Sequence, residues 1–136
     1  MAYEITFAAK AAIPDRGIYI NDCCWGGDVI RDRLLPILRR RHDDIQTNQE
    51  DWGWFIWMDR RPYWIAIDIM CNDKESGEFL IHISATYRKW FWSKAVELEE
   101  VRLLKEIVVK ALAEFGTVTR TQRFSPDFRY ELADEP

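Results

Sequence analysis

The chain has 136 residues, 48% of them hydrophobic and 14% aromatic, including seven Trp. That length suits one domain, and so much apolar surface can offset chain entropy without disulfides or a structural metal. Charged residues at 31% and a net charge of -4 exclude a disordered or polyelectrolyte chain and give no reason to expect nucleic-acid binding.

The apolar stretches are broken by charges within about eight residues, far short of the ~20 that span a bilayer. Met1 to Phe7 carries no basic segment leading into an apolar run, so the expectation is a cytoplasmic protein with no membrane partner. Three cysteines, Cys23 and Cys24 adjacent and Cys71 distant, fit reduced thiols better than a disulfide framework or a zinc site.

In chain order, Tyr3, Ile5 and Phe7 alternate with Glu4, Thr6 and Ala8, which predicts a half-buried first strand. Pro14-Asp15-Arg16-Gly17 has turn composition, and Ile18-Tyr19-Ile20 could return as a short strand of a hairpin. Asp28 is placed to cap a helix beginning at Val29, with Ile30, Leu34, Ile37 and Leu38 at helical spacing. Pro36 removes a backbone donor there, which predicts a kink or restart near Leu35.

Three segments, Trp52 to Met58, Tyr63 to Met70 and Glu78 to Ala85, are rich in β-branched and aromatic residues. Short polar connections between them predict an antiparallel meander. Ser93 can cap a long helix ending near Phe115, with Leu98, Val101, Leu104, Val108, Ala111, Leu112 and Phe115 on one face and Gly116 as its stop. Thr117 to Phe124 has β-type composition. The fold class expected is therefore α+β: an antiparallel sheet with a central three-strand meander, one kinked helix before it and one long helix packed on it after it. It forms a single domain over 1–136, with 126–136 as a tail free to pair at an edge or to fray.

Tyr63, Ile65, Ile67 and Ile69, opposite Phe79, Ile81, Ile83 and Ala85, suit a helix-covered core. The other side of the same strands mixes Trp64, Ala66, Asp68 and Met70 with Leu80, His82 and Ser84, and receives either Phe55 and Trp57 or Trp52 and Trp54 from the neighbour. An acid and an imidazole among indole rings is not the usual composition of a solvated sheet face. Three readings follow: a covered face with Asp68 and His82 as a satisfied pair; an exposed aromatic patch that binds a protein; or a pocket in which Asp68 orients His82 as a general base.

Cys23 and Cys24 precede a predicted helix, where a thiol can gain thiolate character, yet no neighbouring His supplies a base. The candidate catalytic residues are thus Asp68, His82, Cys23 and Cys24, with no catalytic motif joining them. Arg39, Arg40 and Arg41 could contact phosphates, although cations also suit a helix C-terminus. Arg88-Lys89-Trp90-Phe91-Trp92 could stack bases, rest on a membrane surface or grip a partner, or could be a connection whose Trp90 and Trp92 plug the gap between sheet and helix.

With no nucleotide-binding loop, calcium loop or metal spacing in view, no cofactor and no metal are expected. The leading expectation is a noncatalytic protein-binding domain of adaptor, inhibitor or immunity type. Its binding residues would be Trp54, Trp57, Trp64, Trp90, Trp92, Arg60 and Arg61. A small-molecule-binding or hydrolytic protein using Asp68 and His82, and nucleic-acid binding through Arg39 to Arg41, are the alternatives; self-association stays open.

Overall fold

A computed structural model describes residues 1–9 and 17–133. In it the fold is α+β, as the residue pattern predicts. Among the described residues seven strands form one antiparallel sheet: β1 (Ala2–Ala9), β2 (Ile45–Glu50), β3 (Gly53–Arg60), β4 (Tyr63–Asp73), β5 (Glu78–Lys89), β6 (Trp92–Ala95) and β7 (Gly116–Phe124). The spatial order is β2-β3-β4-β5-β1-β7, with β6 pairing the far end of β5. The β3-β4-β5 meander is the predicted one, with each strand longer than its most apolar stretch.

Helices α1 (Gly27–Arg39) and α2 (Glu99–Ala113) both cover one face of the sheet. That face carries Ile5, Phe7, Ile56, Met58, Ile65, Ile67, Ile69, Phe79, Ile81 and Ile83, all buried against Ile30, Leu34 and Leu38 of α1 and Val101, Leu104, Val108 and Leu112 of α2. The Ile-rich side of β4 and β5 is therefore the core side, as the two-residue period dictates.

Several local features differ from the sequence reading. Ile18 to Ile20 forms no strand; its chain leads into a 3-10 turn, Asp22–Cys24, where the Asn21 side chain accepts from the Cys23 N–H. The turn expected at Pro14 to Gly17 lies, apart from Gly17, outside the described residues. The helical segment before the meander is kinked, the 3-10 turn passing into α1 through Gly26, whose φ of 75° suits a residue without Cβ. Asp28 does not cap α1. It sits inside the first turn, fully buried, and accepts a 2.7 Å hydrogen bond from the Tyr19 hydroxyl. Nor does α1 restart near Leu35: it continues through Pro36, which lies on its exposed side.

Ser93 is a strand residue rather than a helix cap. Residues Trp92–Ala95 return along β5, and α2 begins five residues later than a Ser93 cap implies. Gly116 opens β7 instead of stopping the helix, and a Cβ there would run into the Phe7 ring. The edge strand β2 had no strand signal, since Ile45-Gln46-Thr47-Asn48-Gln49-Glu50 is mostly polar; it pairs with β3 along its whole length. After β7 the chain turns back and pairs briefly with the sheet edge, through Phe124 opposite Glu131 and the Leu132 N–H donating to the Arg123 carbonyl at 2.8 Å.

Candidate functional site

The second face of the sheet receives neither helix. Register defines its central row: Asn48 of β2, Phe55 of β3, Asp68 of β4, His82 of β5, Glu4 of β1 and Gln122 of β7 lie side by side across six strands. The next row toward the β3–β4 turn is Gln46, Trp57, Ala66 and Ser84, and the one beyond it runs from Asp59 through Trp64 to Thr86. Directly opposed side chains in such a ladder stand close enough to touch.

The β1–β5–β7 half of this face is partly covered. A loop after β7 is tied by the Ser125 N–H to the Tyr130 carbonyl at 2.8 Å and by the Phe128 N–H to the Ser125 carbonyl at 2.9 Å. This loop lays Phe128 on the His82 ring, with centroids 4.5 Å apart, and against Phe124. The face is thus covered over His82 but not over β3 and β4.

There the aromatic rings form a continuous line. Trp52 meets Phe55 edge-on at 5.7 Å, Phe55 stacks on Trp57 at 4.9 Å, and Trp57 lies parallel to Trp64 at 6.2 Å. The Arg88 guanidinium ends the line, 3.7 Å above the Trp64 ring. Contacts of this kind add to area burial and hold each ring in a fixed orientation. The rings are each half-buried, one side packed on the line and the other toward solvent.

Asp68 borders this line, between Phe55 and His82. Its carboxylate forms no hydrogen bond or ion pair among the described residues. Burial among its neighbours pushes its pKa up to about 6, with His82 pulling the other way. Asp68 and His82 are directly opposed, as expected, but not as a hydrogen-bonded couple: His82 Nε2 is 2.8 Å from the Glu4 carboxylate. A base oriented by Asp68 would need that nitrogen or its partner engaged with Asp68, and Glu4 and Phe128 already hold the ring from two sides.

The thiols lie elsewhere. Cys24 is buried on the helix side, its Sγ 2.9 Å from the Glu50 carbonyl, and burial raises its pKa, which opposes rather than promotes thiolate. Cys71, on the helix-covered face of β4, is pushed up to about 11 for the same reason, while Cys23 is exposed. A dyad of these thiols with His82 would have to pass through the sheet, so the four catalytic candidates do not assemble.

The expected binding residues also divide. Trp57 and Trp64 share the open face, but Trp54 does not: one residue of offset sends it to the core, 6% exposed, with its indole N–H donating to the Cys24 carbonyl at 2.7 Å and Arg31 above its ring. Phe55 and Trp52 take the place assigned to Trp54. Arg60 pairs with Glu100 at 3.0 Å and Arg61 with Asp59 at 3.3 Å, both at the β3–β4 turn. Trp90 plugs no gap between sheet and helix; it occupies the turn between β5 and β6, and Trp92 tilts onto Tyr87 with centroids 5.6 Å apart. Arg39, Arg40 and Arg41 are exposed where α1 ends. Among the described residues no helix is long and apolar enough to cross a membrane. No family model, curated protein or solved structure matches this chain.

Proposed function

We propose that the chain is a noncatalytic protein-binding domain whose binding surface is the open half-face of β3 and β4. The observation that carries this reading is the line of rings from Trp52 through Phe55 and Trp57 to Trp64, ended by Arg88, on a sheet face that neither helix covers. Rigid aromatic rings with an arginine are the side chains that concentrate binding energy at protein interfaces, because they bury large area at little cost in side-chain freedom. Asp68 beside the rings offers a partner's cationic side chain a counter-charge already stripped of much of its water, so pairing there loses less to desolvation than at an exposed site.

A photo-crosslinking residue placed at position 57 or 64 tests this in cells. The expected result is a discrete adduct with one protein from both positions and none from position 103, an exposed site on α2. Adducts absent from 57 and 64, or equally abundant at 103, would contradict it.

A further inference from the structure

The β5–β6 hairpin breaks the rules for its own turn. Lys89 and Trp92 are paired, leaving Trp90 and Phe91 as a two-residue connection. Trp90 has φ 59° while Phe91 stays negative, the pattern of turns that normally place Gly first. An indole in the left-handed region is strained, and this strain is joined to full exposure: Trp90 is 90% and Phe91 93% accessible. A sequence selected for stability alone would put Gly and a polar residue here.

Charge around the tip is equally one-sided. Between Glu78 and Glu97 the chain has no Asp or Glu, although 23 acids occur in all, and Arg88, Lys89 and Lys94 flank the turn. Lys89 and Lys94 form no ion pair among the described residues. Two exposed rings collared by cations match the interface of an anionic bilayer, where aromatic rings settle at headgroup depth and basic side chains meet lipid phosphates.

We propose that the Trp90-Phe91 tip docks the domain on anionic lipid surfaces, the rings entering the interface and Lys89 and Lys94 contacting headgroups. This surface is separate from the ring line of β3 and β4 and independent of the protein partner proposed for it. It also departs from the expectation of no membrane partner, which rested on the lack of a spanning stretch.

The test is co-sedimentation of the full chain with phosphatidylcholine vesicles, with and without phosphatidylglycerol. Binding should require phosphatidylglycerol, weaken with added salt and blue-shift the Trp emission. Lys89→Gln with Lys94→Gln should weaken it about 25-fold, roughly fivefold for each cation removed. Trp90→Ser with Phe91→Ser should weaken it at least about tenfold. Trp90→Gly relieves the turn strain, so it should fold at least as stably as the parent and still bind less. No binding to phosphatidylglycerol vesicles, binding unchanged in the Trp90/Phe91 variant, or binding to a single-stranded oligonucleotide in place of vesicles would overturn the proposal.

Discussion

Replacing Asp68 by Asn removes the one charge on the ring-lined part of the open face that burial disfavours. A rise in pKa from 3.8 to about 6 means that the folded state holds this proton more tightly than the unfolded chain does. Stability from this group is therefore fully present below the unfolded pKa and is lost as pH climbs through the folded value. At about 1.4 kcal/mol per tenfold change in proton affinity, the loss by neutral pH is about 3 kcal/mol. Asn keeps the shape and cannot ionise. The variant should match the parent near pH 4 and exceed it at pH 7.5 by up to that amount, a Tm difference of roughly 10 °C for a chain of this length. Thermal unfolding followed by circular dichroism across that pH range reads the difference directly, because contributions from every other group cancel between the two proteins. A gap that stays constant from pH 4 to 7.5 would refute the reasoning, since a solvated carboxylate would give no pH-dependent gain. The same substitution should weaken binding of a partner that places a cation beside Asp68, so that the site trades stability for recognition.

Other outcomes follow from the packing. Ile67→Ala, at the centre of the core between Ile56 and Ile83, should lower unfolding free energy by about 3 to 4 kcal/mol in urea titration without altering far-UV dichroism of the surviving native state. Gly116→Ala should destabilise by about 1 to 3 kcal/mol, because its new methyl meets the Phe7 ring and the Ala8 carbonyl, and the loss should show as a lower thermal midpoint. Native protein should titrate one fast thiol with a disulfide reagent, Cys23, and all three only in denaturant, since Cys24 and Cys71 are buried and hold their protons.

The parts of the fold with a strong period could be read from the residues. Ile65, Ile67 and Ile69 facing Phe79, Ile81 and Ile83 leave one arrangement of β4 on β5, and the opposed pair Asp68 and His82 follows from that register. What escaped were the elements whose pairing is decided by their neighbours. Strand β2 pairs along β3 with the polar Gln46 and Asn48 exposed and Ile45 and Thr47 part-buried on the core side, and no local signal separates that from a loop. Strand β6 forms because a two-residue turn returns it along β5, in a segment whose Ser93 resembles a helix cap.

Within the site, the ambiguity lay in β3, where aromatic residues occupy both faces. Trp54 and Trp57 have the same chemistry, and only the offset of β3 against β4 sends one to the core and the other outward. The engagement of His82 by Glu4 could not be foreseen from spacing, since β1 and β5 are joined across 78 positions. Nor could the Phe128 contact, which depends on the loop after β7 folding back.

The affinity of the protein captured at position 57, measured together with the thermal midpoint for the parent and for a Trp57→Ala, Trp64→Ala double variant, tests the central claim most directly. The ring-line account expects a loss of at least about 30-fold, the effect of removing interface hot spots. Equal affinity for the two proteins would contradict it, as would a cooperative loss of fold showing that both rings serve the core.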